Sequence, residues 1–165
     1  MRNQILQHAE VEHKIRRIAY QIYEANVNEK VLIIAGITGG GQLFAQKLER
    51  LLSEITAAQI LSCELYINKE NPLKEPITTS LDPAEIKGKS VVLVDDVLNS
   101  GSTLIYGVLY FLQLPVKQLK TAVMVNRNHK KFPVKADFKG ISLSTSLQEH
   151  VQVDLKGKKF GVYLE

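Results

Sequence analysis

Apolar residues recur along this chain with two different periods. Over residues 9–26, Val11, Ile15, Ile18, Ile22 and Ala25 fall three and four apart, which predicts an amphipathic helix. VLIIA (31–35) is continuously apolar and largely branched, the pattern of a strand buried on both faces. A glycine-rich turn, GITGGG (36–41), follows it. Leu43, Phe44, Leu48, Leu51, Leu52 and Ile55 then mark a second helix, and ILSCELYI (60–67) a further strand. Residues 68–88 hold Pro72, Pro76 and Pro83 and show no clear period. A connection that long inside a compact domain is usually functional or mobile. Residues 90–94 (SVVLV) predict a second buried strand. A helix is expected from about Thr103 to Gln113, then a strand at 120–126 (KTAVMVN). The tail alternates short β-like runs, at 137–143, 150–154 and 159–164, with turns.

Strands alternating with helices predict an α/β fold: a central, mostly parallel sheet flanked by helices on both faces. The 165 residues are enough for one domain with a real core, and no linker or repeat divides them, so a single domain over 1–165 is expected. On such sheets ligands bind at the carboxyl ends of the strands. Two loops lie there, GITGGG (36–41) and DDVLNSGST (95–103).

Composition narrows the picture modestly. One cysteine, Cys63, in an apolar stretch, excludes a disulfide framework and a thiolate metal cluster. His8, His13, His129 and His150 show no metal-ligand spacing apart from a weak His8/His13 pair. No stretch has the length of a membrane span and the first residues do not resemble a signal peptide, so a soluble cytoplasmic protein is expected. Net charge is +4, but seven basic residues fall between Lys117 and Lys139 against one acid, Asp137. A solvated basic face explains this, and so does a surface for RNA or a phosphate-rich ligand.

The densest chemistry is VVLVDDVLNSGSTL (91–104). Asp95 and Asp96 stand side by side at the end of an apolar strand, where two like charges are costly. Ionised carboxylates only accept hydrogen bonds, so the pair suits the vicinal hydroxyls of a ribose, or Mg²⁺. Downstream, Gly101 permits a tight turn, Ser100, Ser102 and Thr103 supply hydroxyls, and the first amides of a helix are free to meet a phosphate. A plain helix cap is the alternative for the hydroxyls, and a capping or supporting role for one of the acids. A ribose 5-phosphate accounts for both halves together.

Two other motifs fail. A P-loop needs Gly-x-x-x-x-Gly-Lys-Ser/Thr. Gly88-Lys89-Ser90 has Pro83 at the first glycine position and precedes a strand instead of following one. GITGGG departs from Gly-x-Gly-x-x-Gly, with Phe44 where the last glycine belongs.

VVLVDDVLNSGSTL resembles the phosphoribosyl pyrophosphate (PRPP) signature of type I phosphoribosyltransferases: four hydrophobics, two acids, and a loop ending in Thr-Gly-x-Thr or a close variant. NRNHKKFPVKADFKGISLSTS (126–146) resembles the matching stretch of the bifunctional pyrimidine-operon regulator and uracil phosphoribosyltransferase family, through Arg127, His129, Lys130, Pro133, Ala136, Asp137, Gly140, Thr145 and Ser146. KIRRIAYQIYE and GITGGGQLFAQKL align in register with that family too, so the resemblance covers nearly the whole chain.

The resemblance implies a Rossmann-like type I phosphoribosyltransferase fold with a small hood region. It implies that Asp95 and Asp96 hold the PRPP ribose hydroxyls, and Mg²⁺ directly or indirectly. It places the ribose phosphate on Val97, Leu98, Asn99, Ser100, Gly101, Ser102 and Thr103, and pyrophosphate on Thr38, Gly39 and Gly40. Lys69 joins the acids as a catalytic candidate, and Asp137, Phe138 and Ile141 lie against the base. Uracil as acceptor, UMP and pyrophosphate as products, and a homodimer or higher oligomer follow in the same way. The family's other activity, binding a pyrimidine leader RNA when UMP is bound, would fall to Arg127, His129, Lys130 and Lys131.

The chain also departs from the family. The pyrophosphate loop usually reads Gly-Ile-Lys-Thr-Arg-Gly; here it is Gly36-Ile37-Thr38-Gly39-Gly40-Gly41, without either cation. The mobile loop usually begins Leu-Tyr-Arg-Asp-Asp; here it is Leu65-Tyr66-Ile67-Asn68-Lys69. Ser102 stands where an arginine is common, Asn128 for a glycine, Asn126 for an acid, and Tyr20 for a histidine. A PRPP-binding paralogue without turnover is therefore a further expectation beside the enzyme and the regulator.

Overall fold

A computed structural model describes residues 1–165. In chain order the elements are β1 (Asn3–Leu6), α1 (His8–Ala25), β2 (Val31–Ile37), α2 (Gly40–Ile55), β3 (Gln59–Tyr66), β4 (Thr78–Thr79), α3 (Pro83–Ile86), β5 (Ser90–Leu98), α4 (Ser102–Leu112), β6 (Gln118–Arg127), β7 (Phe138–Leu143), β8 (Val151–Asp154) and β9 (Gly161–Leu164). Six strands form one sheet in the order β4-β3-β2-β5-β6-β7. All neighbours in it are parallel except β4, which runs against β3. The expected α/β architecture is the observed one.

The continuous apolar runs explain why helices cover both faces. Alternate residues of one strand enter different cores. Leu32 and Ile34 of β2, Val92 and Val94 of β5, and Ala122 and Met124 of β6 face α1 and α2. Ile33, Ala35, Val91, Leu93 and Val123 face α3 and α4, where Ile86, Leu104 and Phe111 meet them. A strand with two buried faces has no polar alternation to show.

The order of strands positions the site. From β2 the chain moves outward to β3, then returns to place β5 on the other side of β2. The carboxyl ends of β2 and β5 therefore diverge at a topological switch point, the crevice where open α/β sheets bind ligands. The loops 36–41 and 95–103 meet there.

Three features differ from the sequence-based expectation. Residues 3–6, with no legible pattern, form β1, which pairs antiparallel with β9 in a second sheet of order β1-β9-β8. Residues 68–88 are not one irregular connection. They contain β4 and the short helix α3, which is opened by a reciprocal Asp82–Glu85 capping box and anchored by the fully buried Ile86. Finally, α1 begins at His8, where the Gln7 backbone N–H donates to the Glu10 carboxylate at 2.8 Å.

Candidate active site

A cleft of about 820 Å³ opens at the switch point. Its floor is Asp95, Asp96 and Val97. One wall is Gly39, Gly40 and Leu43, and another is Asn99, Ser100, Ser102 and Thr103. Lys69 reaches in from the segment after β3, and β8 with its flanks, His150 to Lys156, forms the roof.

Asp95 is 4% exposed. Its Oδ1 accepts the Asp96 backbone N–H at 2.9 Å and the Lys69 Nζ at 3.2 Å. Asp96 is less buried, and its Oδ1 accepts the Val97 N–H at 2.9 Å. Burial pushes the Asp95 carboxyl up to about 7; the neighbouring Asp96 charge adds to the rise and Lys69 opposes it.

Two glycines of 36–41, Gly40 and Gly41, lie against those acids. A Cβ on Gly40 would collide with the Asp96 carboxylate, and one on Gly41 would lie 2.7 Å from the Val94 carbonyl oxygen and 3.0 Å from Asp95 Oδ1. Gly39 precedes α2 with φ of 92°, a conformation other residues adopt at a cost. The N–H groups of Gly40, Gly41 and Gln42 start α2 and have no carbonyl partner within the helix. They offer an anion site made of main chain alone.

The second loop is built the same way. Gly101 has φ of 87° and opens α4. The Ser102 N–H donates to Ser100 Oγ at 3.2 Å, while those of Thr103 and Leu104 precede the first bond within the helix, Ile105 N–H to Gly101 O at 2.9 Å. A small cavity of about 50 Å³ lies in the curl of this loop, lined also by Leu98.

Comparison with known proteins settles the family. The model of the phosphoribosyl transferase domain matches residues 1–157. The chain belongs to the phosphoribosyltransferase family. It is 32% identical over 155 residues to Bifunctional protein PyrR of Bacillus cereus (strain AH820), covering 88% of this chain and 86% of that protein. PyrR of Streptococcus thermophilus (strain CNRZ 1066) is likewise 32% identical, covering 92% and 89%. Among solved structures, a hypoxanthine-guanine phosphoribosyltransferase from Bacillus anthracis superposes with a TM-score of 0.74 at 20% identity, over 90% of this chain and 84% of that one. A hypoxanthine phosphoribosyl transferase from Trypanosoma cruzi gives 0.72 at 18%, over 87% and 79%. At these identities the two structures share the fold. No helix is long and apolar enough to cross a membrane.

Against this phosphoribosyltransferase frame, the residues singled out from sequence divide. Asp95, Asp96, Val97, Asn99, Ser100, Ser102, Thr103, Gly39, Gly40 and Lys69 converge on the cleft. Thr38 does not: its N–H and its hydroxyl both donate to the Leu65 carbonyl, at 3.0 and 2.8 Å, turning it toward β3. Asp137, Phe138 and Ile141 do not line the cleft either. Asp137 accepts the Thr121 N–H at 2.9 Å, tying the start of β7 to β6, while Phe138 and Ile141 pack against the α1 and α2 core.

The basic segment is also redistributed. Arg127 is 7% exposed and spends its guanidinium on five hydrogen bonds within the chain. The His129 ring meets the Thr145 carbonyl. Of the residues expected to meet RNA, Arg127 has its guanidinium engaged within the chain, while His129 is half-buried with one ring nitrogen bonded. Lys130 and Lys131 are exposed. Sequence reasoning missed the roof. Residues 150–156 alternate polar and apolar, which signals a strand, but nothing local says that the strand covers the cleft.

Proposed function

We propose that this chain transfers ribose 5-phosphate from PRPP to uracil, forming UMP and releasing pyrophosphate. The observation that carries the reading is the meeting, around one cleft, of a carboxylate pair, a glycine-built helix start and a hydroxyl-rich helix start. Each matches one part of PRPP: ribose hydroxyls on Asp95 and Asp96, pyrophosphate on the amides from Gly39 onward, and the 5-phosphate on Asn99 to Thr103. Uracil rests on the resemblance of residues 126–146 to the regulator and uracil phosphoribosyltransferase family.

In the reaction the bond from the ribose anomeric carbon to pyrophosphate breaks with its electron pair leaving on pyrophosphate, a bond to the base nitrogen forms, and the proton of that nitrogen passes to solvent. Positive charge develops on the ribose ring beside Asp95 and Asp96, and negative charge on the departing pyrophosphate beside the α2 amides. The donor set fits Mg²⁺. No cluster of three or more acidic, histidine or cysteine side chains is present to cage a metal, and Mg²⁺ takes one or two carboxylates together with substrate oxygens. Asp95 and Asp96 would hold it, and it supplies charge neutralisation at the pyrophosphate. Lys69 keeps a cation at the cleft in a chain whose pyrophosphate loop has none.

Pyrophosphate release from PRPP, assayed with uracil, hypoxanthine and guanine in turn, tests the reading. Release with uracil is expected. Silence with all three overturns it.

A second reading has its own support: the relatives are named bifunctional, and Thr38, Gly39 and Gly40 carry no charge. In it the chain binds PRPP or UMP and acts as a regulator of a pyrimidine leader RNA through Lys130 and Lys131. PRPP binding without turnover, with a UMP-dependent shift of leader RNA, is its signature. A homodimer or higher assembly in the cytoplasm belongs to both readings and is measured by light scattering and fractionation.

A further inference from the structure

Arg127 ends β6 beneath the hydroxyl-rich loop, and no carboxylate lies within ion-pair distance of it. Its Nη1 donates to Asn99 Oδ1 at 2.9 Å. Its Nε and Nη2 donate to Thr145 Oγ1 at 3.0 and 2.8 Å. Nη2 also reaches the carbonyls of Ser146, at 3.2 Å, and Glu149, at 2.8 Å. The Glu149 carboxylate accepts the Ser146 N–H at 2.6 Å and makes no ion pair with Arg127, although the cation helps that bond to lower its pKa. Every acceptor of this buried cation is neutral.

The acceptors fall on one wall of the cleft and on the turn that leads to its roof. Asn99 opens the loop 99–103. Thr145 to Glu149 form the turn that delivers β8 onto the roof. Neighbouring residues reinforce the grip. The N–H groups of Lys131 and Phe132 both donate to the Ser100 carbonyl, at 2.7 and 3.1 Å, and the His129 ring holds the Thr145 carbonyl. Hydrogen bonding engages Nε, Nη1 and Nη2, and the Glu149 carboxylate feels the cation only from beyond ion-pair distance, so the buried charge is only partly compensated, which is costly. A phosphate dianion in the loop above would supply the missing charge.

We propose that Arg127 is a positioning residue that ties the 99–103 loop to the roof, so that a phosphate seated in the loop orders residues 145–155. The inference rests on the phosphate reading of that loop given above. Arg127 touches neither substrate in this role; it acts through Asn99 on one side and Thr145 on the other.

The test combines calorimetry with hydrogen exchange on the full chain, using PRPP with Mg²⁺, and UMP, as probes. In the wild type, either probe is expected to protect the amides of 145–155. Arg127→Gln should bind PRPP about tenfold more weakly, as expected for loss of charge-assisted bonds, and at saturating PRPP should lack that protection. Arg127→Lys keeps the charge without the fork and should restore part of the affinity but little of the protection. Thr145→Val, distant from the phosphate and conservative in shape, should weaken PRPP binding several-fold and be non-additive with Arg127→Gln. Full protection in saturated Arg127→Gln, or wild-type PRPP affinity in Thr145→Val, overturns the coupling. A wild-type chain that binds neither PRPP nor UMP overturns the phosphate reading itself, and the coupling with it.

Discussion

Gly40 and Asp96 share one volume: the Asp96 carboxylate occupies the space that any side chain on Gly40 would need. The resemblance places an arginine of the family at the position of Gly40. In this chain that side chain is absent, and the amides at the start of α2 are left as the anion donors.

Gly40→Ala is therefore expected to displace the Asp96 carboxylate, which can rotate, more than to unfold the chain. PRPP affinity, measured by calorimetry with Mg²⁺, should fall about tenfold or more, the scale of a lost charged hydrogen bond. Gly39→Ala is the contrasting variant. A Cβ there meets nothing within 4 Å, but the residue sits at φ of 92°. Its cost should appear as about 1–3 kcal/mol of stability in denaturant titration, because the strain lies in the backbone.

The raised Asp95 carboxyl links pH to stability. Folding lifts it from 3.8 to about 7, so the folded chain binds the proton more tightly than the unfolded chain. Between those values the folded state carries more protons, and stability falls as pH rises from about 4 to about 7. Asp95→Asn removes the cost of the buried charge and should stabilise the chain above pH 7, by roughly 2–4 kcal/mol on the linkage scale, while abolishing PRPP binding. Thermal unfolding from pH 5 to pH 8.5 checks the slope. Binding of PRPP with Mg²⁺ should release protons near pH 7, read by calorimetry in buffers of different ionisation enthalpy.

Lys69 is 40% exposed on its side chain and bonds the buried Asp95. Lys69→Met should cost little stability, under about 1 kcal/mol, because solvent screens the pair. It should lower kcat of pyrophosphate release by about 10–100-fold, the scale of one electrostatic contact in a transition state, with a smaller change in PRPP affinity. Equal loss in both would place Lys69 in ground-state binding.

Far from the cleft, Asn26 follows α1 and is 6% exposed. Its Nδ2 donates to the Ile22 carbonyl at 2.8 Å and its Oδ1 accepts the buried Ser90 hydroxyl at 2.6 Å. Asn26→Ala leaves both partners unpaired and should cost about 1–3 kcal/mol, seen as a lower denaturant midpoint with PRPP affinity unchanged.

The sequence by itself determined the sheet, the helices on both sides of it, and the two loops that carry charge and glycine. Those features are local. An apolar run with two buried faces, a helix repeat and a left-handed glycine each leave their mark within a few neighbouring residues. The convergence of Asp95, Asp96, Gly39, Gly40 and Asn99 to Thr103 on one cleft was legible for the same reason, because carboxyl ends of parallel strands share one edge. Only the tertiary structure decided the rest. β1 exists because β9, at the far end of the sequence, offers it an edge. The roof from His150 to Lys156 reads locally as any strand; its place over the cleft comes from the sheet β1-β9-β8. Thr38 and Arg127 carry side chains suited to anions, yet a carbonyl across the sheet takes one, and Asn99 and Thr145, far apart in sequence, take the other. Which partner satisfies a polar side chain is a question of three-dimensional distance, and sequence order does not encode it.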